Sequence, residues 1–220
     1  VGEILRSGAT LVDVPPETMK VLYTSAKVRF DKDAEFSDLV RRINNTIQRA
    51  KTYPEASRNE ALSIGGNLWT TKELVVQWDA LCEKSREMQQ PVFDLFHIRS
   101  ESKGESHYAR LIPEVIRLLN QEGVLREAEN GALGVDLAEF ESPVIIQKGD
   151  GGHLYTTTDI AALYHRFSSQ SVEWGLYITD VSQRHHFHGV FAVGRRMGWF
   201  AKDARADHVA FGLMLHDGGE

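Results

Sequence analysis

The stretch PVIIQKGDGGHLYTTTDIAALY, residues 143–164, decides the fold of the C-terminal part of this chain. Residues 144–146 form a continuous apolar run, which predicts a strand covered on both faces. The glycine-rich residues 148–152 predict a tight turn, and Thr158-Asp159 opens a predicted helix that reaches Tyr164. Strand, turn and helix in this order indicate an α/β arrangement with parallel pairing and right-handed crossovers.

The same alternation continues to the end of the chain. Residues 174–178 predict a second strand, residues 187–194 lie in the helix after it, and residues 209–215 predict a last strand. In parallel sheets of this kind, small ligands bind at the carboxyl ends of the strands. We therefore look for a site after each of these strands.

The upstream part is predicted to be mostly helical up to about residue 90. Apolar residues recur at helical spacing over 19–30, 36–47 and 69–87, and Gly65-Gly66 marks a turn. From Pro91 the pattern changes: residues 92–96 predict a short strand and residues 111–119 a helix. Asn130-Gly131 predicts a hairpin between residues 124–127 and 132–135. The predicted segments are thus 1–90, 91–142 and 143–220.

Composition narrows the function classes. The 220 residues are 42% hydrophobic and carry a formal net charge of −6, which argues against a surface built mainly for nucleic acid but allows a small local patch. Cys82 is the single cysteine, so we expect no internal disulfide and no thiolate zinc cluster, and a cytoplasmic setting fits best. No apolar run approaches the roughly 20 residues that span a bilayer, so no membrane partner is predicted.

Three segments place polar groups at the predicted strand ends. In residues 151–159, Tyr155 and Asp159 could hold a ligand; alternatively, Thr158 or Asp159 caps a helix and Tyr155 packs in the core. In residues 179–187, Gln183 could read a polar ligand by two hydrogen bonds. In residues 208–214, an apolar strand could hold a purine base or could be an ordinary core strand. The second segment leads into three neighbouring histidines, His185, His186 and His188. Metal binding by these histidines is the weaker interpretation of the segment.

Those residues carry a resemblance to class I arginyl-tRNA synthetases. The segments IQKGDGGHLYTTTDIAA (146–162), YITDVSQRHHF (177–187) and HVAFGLM (208–214) resemble three family segments in order and spacing. Residues 22–36 and 111–116 also look like the family's connecting insert. The resemblance implies an α/β fold, with residues 143–220 as the second half of a Rossmann-like parallel sheet. That sheet would follow a helical connective segment, residues 1–90, and an α+β insert, residues 91–142.

The resemblance also implies roles at the matching positions. Tyr155, Asp159 and Gln183 would hold L-arginine, because a carboxylate opposite a guanidinium makes a charge-assisted fork that lysine cannot copy. His186 would lie near the adenylate, and the adenine would lie along Phe211, Gly212 and Met214. The implied partners are L-arginine, ATP with Mg²⁺ as its counter-ion, and tRNA(Arg) in a full-length parent. No tightly bound metal is expected.

The chain departs from the family pattern in several places. The family's His-x-Gly-His signature and its Lys-Met-Ser-Lys-like loop are not in these residues, and they supply most of the stabilisation of the ATP phosphates. Gly149 stands where serine is usual, and His185 where an aliphatic residue is common. The chain has no initiator Met and both ends look like cuts through a larger fold, although a short natural protein with its Met removed is the alternative.

We therefore expect a catalytic-core fragment or truncated relative that is inactive alone and to which no catalytic residue is assigned. The alternative is a degenerate paralogue that acts as an arginine-binding or protein-interaction module. A nucleotide-binding enzyme of other chemistry is the third and weakest interpretation.

Overall fold

The computed structural model describes residues 14–55 and 60–212. The chain divides into two compact units, Val1–Ser102 and Lys103–Glu220. Both helices and strands are present, as the sequence predicts.

Among its described residues, the first unit contains three helices and one hairpin. Helices α1 (Pro16–Lys32) and α2 (Ala34–Thr52) are followed by strands β1 (Ala61–Ile64) and β2 (Asn67–Thr70), and then by α3 (Thr71–Leu95). The two strands pair antiparallel. The helix prediction is confirmed, whereas the hairpin around Gly65-Gly66 was predicted only as a turn. The core of this unit consists of apolar side chains from α2, β1 and α3, namely Leu39, Ile43, Ile47, Ile64 and Leu74.

The strand predicted for residues 92–96 is wrong, because α3 continues through Pro91 to Leu95. Proline removes one helical hydrogen bond, but Glu87, whose carbonyl would accept it, is exposed and can bond to water. Leu95 is 74% exposed, so the apolar run is not a buried strand. Apolar character alone could not distinguish an exposed helix end from a strand.

The second unit begins with α4 (Glu105–Tyr108), a 3₁₀ turn (Ala109–Leu111) and α5 (Ile112–Gln121). Strands β3 (Leu125–Glu127) and β4 (Leu133–Val135) form the predicted antiparallel hairpin. Asn130 and Gly131 have positive φ angles of 57° and 71°, which confirms the predicted turn. Strand β5 (Val144–Gln147) pairs antiparallel with β4. The expectation of parallel pairing is therefore wrong for β5, whose hydrogen-bonded neighbour comes from the hairpin.

The chain then alternates between helix and strand. Helix α6 (Tyr155–Tyr164) runs into a π-helical turn (His165–Ser169) and is followed by β6 (Trp174–Asp180). A 3₁₀ turn (Val181–Gln183), helix α7 (Arg184–Arg196) and β7 (Arg205–Phe211) complete the unit. Strands β6 and β7 are parallel, with Trp174 opposite Arg205 and Asp180 opposite Phe211, so parallel pairing is confirmed here. Residues 213–215 of the predicted last strand lie outside the described residues.

The core of the second unit is centred on α6 and α7, which approach each other closely. Ile160 and Leu163 of α6 and Val190 and Val193 of α7 are completely buried. A Cβ atom at Gly194 would lie 2.5 Å from the Leu163 side chain and 2.8 Å from the Phe200 ring, so a larger residue would require these side chains to shift. Glycine thus lets α6 and α7 pack closely at this point.

One face of the β6–β7 pair is not covered by the described residues. Large apolar side chains at alternate positions of the two strands are about half exposed or more, namely Trp174, Leu176, Ile178, Val209 and Phe211. Within the described ranges, no helix combines the length and the apolar character needed to cross a membrane.

Gly149 allows the turn before α6 to pack against the β3–β4 hairpin. A Cβ atom at this position would lie 2.0 Å from the backbone oxygen of Asn130. This backbone oxygen cannot move away as a flexible side chain would. A serine side chain at position 149 would therefore collide with the backbone of Asn130.

We predict that Gly149→Ser destabilises the second unit by about 1–3 kcal/mol, as overpacking typically does. Urea unfolding measures the change, and Gly104→Ser is the matched control. A Cβ atom at Gly104 would meet nothing within 4 Å, and serine is a favoured residue at this N-cap position. Equal unfolding free energies for the Gly149→Ser variant and the unchanged chain would contradict the close contact with Asn130.

Candidate functional site

The start of α6 is fixed by hydrogen bonds to β5 and to the turn before the helix. His153 makes an antiparallel bridge with Gln147, and the Lys148 backbone N–H donates to the Gly152 carbonyl at 2.9 Å. The hydroxyl of Thr157, which is fully buried, donates to the carbonyl oxygen of Ile146. These contacts attach the first turn of the helix to the end of the strand.

Helix α6 begins at Tyr155, three residues before the predicted start, and its N-cap residue is Leu154. Thr158 and Asp159 therefore lie inside the helix, so the alternative in which one of them is the N-cap is wrong. Tyr155 is 53% exposed, so its alternative placement in the core is wrong as well. Asp159 follows Tyr155 by four positions, which places both side chains on the same face of the helix.

His186 connects these two residues. Its Nε2 lies 2.7 Å from Oδ2 of Asp159, and its ring centroid lies 4.6 Å from that of Tyr155. The side chain of His186 is only 9% exposed, whereas that of Asp159 is 29% exposed. A nearly buried histidine thus contacts both the ring of Tyr155 and the partly accessible carboxylate of Asp159. His186, predicted to lie near the adenylate, contacts two residues that were predicted to hold arginine.

Gln183 lies at the carboxyl end of β6, one turn before His186. The Asp180 carboxylate accepts hydrogen bonds from the backbone N–H of Ser182, at 2.9 Å, and from its hydroxyl. These bonds keep the pKa of Asp180 below its usual value and close the 3₁₀ turn that ends at Gln183. Gln183 is half-buried and is the N-cap residue of α7, without a side-chain capping bond. Its amide group makes no hydrogen bond to Tyr155 or Asp159 within the described part of the chain.

The residues predicted to lie along adenine are at the neighbouring strand end. Phe211 closes β7 opposite Asp180 and is 55% exposed. A Cβ atom at Gly212 would meet nothing within 4 Å. Met214 lies outside the described residues. Close by, Thr179 Oγ1 lies 2.8 Å from His208 Nε2, and the His208 ring stacks on Phe187 with centroids 5.3 Å apart.

The three neighbouring histidines of α7 have different surroundings. His185 and His188 pack against the ring of Phe140, with centroid distances of 5.1 and 5.0 Å, whereas His186 contacts Asp159. His185 and His188 also line an open cavity of about 600 Å³ between α7 and β7. Tyr155, Asp159 and Gln183 are not among the residues that line this cavity.

Sequence reasoning missed Glu105, the first residue of α4. Although the residue as a whole is exposed, loss of water around its carboxyl group raises its pKa, and the nearby Asp159 carboxylate raises the pKa further. Residues 102–106 were predicted only as a polar loop. Nothing local in that loop indicates that α4 brings a second carboxylate close to α6.

Comparison with known proteins places this chain in a family. Residues 6–220 match the family model described as tRNA synthetases class I (R), catalytic domain. The arginine–tRNA ligase of Thermosynechococcus vestitus is 38% identical over 204 residues, which cover 90% of this chain and 31% of that protein. The cytoplasmic arginine–tRNA ligase of Arabidopsis thaliana is 32% identical over the same shares of the two chains.

A solved structure gives the same assignment. The crystal structure of arginyl-tRNA synthetase from Plasmodium falciparum matches with a TM-score of 0.60 and 31% identity, over 64% of this chain and 25% of that one. The chain spans about a third of the length of the curated relatives it matches, since it covers 31% of each. From the matched residues and the shared fold, we conclude that this chain belongs to the catalytic-domain family of class I arginyl-tRNA synthetases.

Proposed function

We propose that this chain carries the arginine-binding part of an arginyl-tRNA synthetase active site. The parent reaction joins L-arginine to ATP as arginyl-adenylate and then transfers the arginyl group to tRNA(Arg). The observation that carries the proposal is the accessible carboxylate of Asp159, held by His186 beside the ring of Tyr155.

The carboxylate of Asp159 has one oxygen available for a guanidinium. Oδ2 is bonded to His186, and among the described residues Oδ1 has no hydrogen-bond partner. A guanidinium presents planar N–H donors that bond strongly to an ionised carboxylate. The ring of Tyr155, more than half exposed, would cover the face of the bound cation. Gln183, one turn before His186 on α7, would bond to the amino group or the guanidinium.

Charge near Asp159 supports a cationic substrate. Glu105 adds a second carboxyl group close enough to Asp159 to raise its own pKa. Two carboxyl groups in one neighbourhood repel each other, and a guanidinium between them would relieve that repulsion. A neutral side chain of similar shape would not.

The nucleotide would bind at the ends of β6 and β7. The two strands form a parallel pair, and we propose that this pair is part of the Rossmann-like sheet of the catalytic domain. Phe211, Gly212 and Met214 would lie along the adenine, and Mg²⁺ would enter as the counter-ion of ATP. In this proposal, residues 143–220 form the second half of the catalytic domain, and residues 1–90 and 91–142 are its connecting inserts.

We further propose that the chain acts in the cytoplasm. Two features support this setting. The sequence has one cysteine, which fits a reducing compartment, and the relative from Arabidopsis thaliana is described as cytoplasmic.

A second candidate function is a degenerate paralogue that binds arginine or a protein partner without catalysis. The half-exposed apolar face of β6 and β7 favours it, because apolar patches of this kind mark interaction surfaces. Arginine binding without catalysis, together with a stable complex formed through this face, would support this alternative.

We expect the 220-residue chain alone not to catalyse arginine-dependent exchange of pyrophosphate into ATP. The two family signatures that stabilise the ATP phosphates are not in its sequence. The assay measures labelled ATP formed from labelled pyrophosphate, with and without arginine. Exchange that depends on arginine and persists through purification would contradict this expectation.

We predict that Asp159→Asn weakens arginine binding about 10- to 100-fold, since a hydrogen bond to a charged group contributes roughly 1.5–3 kcal/mol. Isothermal titration calorimetry measures the dissociation constant. Asp203→Asn, which removes the same charge from an exposed position after α7, should leave it unchanged. An equal loss in both variants would show that only the overall charge matters.

We predict that Glu105→Gln stabilises the fold increasingly as pH rises. Because the pKa of Glu105 is raised in the folded state, the unfolded chain loses this proton first, near pH 4.3. Ionisation therefore lowers the free energy of unfolding as pH rises from about 4 through the raised pKa, and glutamine removes that loss.

Urea unfolding at several pH values between 4 and 7 tests this prediction. Glu114→Gln should show a difference that stays constant above about pH 5, because Arg117 holds the pKa of Glu114 below its usual value and this carboxyl is then ionised in both the folded and the unfolded chain. A difference between Glu105→Gln and the unchanged chain that does not vary with pH would rule out the raised pKa.

A further inference from the structure

We infer that His186 is a positioning residue that sets the orientation of the Asp159 carboxylate for a guanidinium. The inference rests on the proposed function, because it gives a role to a residue that contacts the proposed arginine site. It differs from the placement near the adenylate that the family resemblance implies for His186.

The direction of the hydrogen bond follows from its partners. An ionised carboxylate can only accept hydrogen bonds. The Nε2 atom of His186, 2.7 Å from Oδ2 of Asp159, must therefore carry the proton and donate it. This is true whether the imidazole is neutral or charged.

Packing holds the donor in place. The His186 side chain is 9% exposed, and its ring lies between Tyr155, at 4.6 Å, and Phe187, at 4.8 Å between centroids. Side chains confined in this way occupy one rotamer. The donor is thus fixed by α7, while its acceptor stands on α6.

A fixed donor decides which carboxylate oxygen is left for the ligand. An accessible aspartate without a partner rotates about its side-chain bonds and presents neither oxygen in a constant direction. With Oδ2 bonded to His186, Oδ1 is the oxygen left for a guanidinium. Oδ1 then accepts in a constant direction, and an N–H group of a cationic guanidinium bonds to it more strongly than an N–H group of a neutral ligand of the same length.

The same ring couples the two ligand-binding segments. Tyr155 and Asp159 belong to α6, and Gln183 stands three residues before His186 at the start of α7. A shift of α7 would therefore move Gln183 and the donor to Asp159 together. His186 acts through these residues rather than by contact with the reacting atoms.

Two substitutions separate the hydrogen bond from the ring. His186→Phe keeps a ring against Tyr155 but removes the donor, and His186→Gln keeps an N–H donor near the position of Nε2 but removes the ring. His188→Phe is the matched control on the same helix, since the His188 ring packs against Phe140 and makes no hydrogen bond to Asp159.

The test compares the dissociation constants for L-arginine and L-citrulline, measured by calorimetric titration. Citrulline is the matched ligand, because it replaces the guanidinium by a neutral urea group. We expect His186→Phe to weaken arginine binding about tenfold, the lower end for a hydrogen bond to a charged group, with little change for citrulline. His186→Gln should restore the arginine affinity to within about threefold. His188→Phe should match the unchanged chain for both ligands.

Other outcomes would overturn the inference. Equal losses for arginine and citrulline in His186→Phe would show a merely structural role, and full arginine affinity in that variant would show that the bond is dispensable. If the unchanged chain and Asp203→Asn give no heat with arginine, the proposed function fails for this chain.

A measurement without ligand tests the hydrogen bond between His186 and Asp159 even if the chain does not bind arginine. Long-range ¹H–¹⁵N spectra of the histidine side chains should show His186 protonated at Nε2 in the unchanged chain and altered in Asp159→Ala. A His186 signal that is the same in both proteins would contradict the inference, whatever the titrations give.

Discussion

The candidate site depends on one buried hydrogen bond, from the Thr157 hydroxyl to the carbonyl of Ile146. A buried hydroxyl without a partner would be costly, so this bond holds the first turn of α6 against the end of β5. The turn between them has little freedom, because its glycine at 149 lies against the backbone of Asn130. The placement of the first turn of α6, which carries Tyr155 and Asp159, is therefore tied to the hairpin and to β5.

The electrostatics of the site follow from that position. The start of α6 brings Asp159 close to Glu105, and the start of α7 supplies His186 as a hydrogen-bond donor. One histidine bond satisfies one carboxylate oxygen and leaves the other without a hydrogen-bond partner among the described residues. In the proposed function, a cationic ligand would relieve the repulsion between the two carboxyl groups, and a neutral ligand would not.

Much of this was predictable from sequence where the signal is local. Asn130-Gly131 predicts its hairpin, and the alternation after residue 143 predicts the α6–β6–α7–β7 order. The β1–β2 hairpin, the helix that continues through Pro91 and the pairing of β5 with β4 were not predicted. In each case the outcome depends on what the segment packs against or leaves exposed, rather than on its own pattern. Glu105 shows the same limit for the site, since its closeness to Asp159 arises from the packing of α4 on α6. The roles proposed for Tyr155, Asp159 and Gln183 came from the resemblance and await the binding measurements.

The contact between α6 and α7 at Gly194 lies away from the candidate site, but it affects the position of α7 and therefore of His186. A Cβ atom at Gly194 would lie 2.5 Å from the Leu163 side chain, so an added methyl group would force that side chain or α7 itself to shift. A shift of α7 would move His186, which lies near the other end of the same helix. A substitution at this remote, apolar contact would in this way alter the geometry of the candidate site.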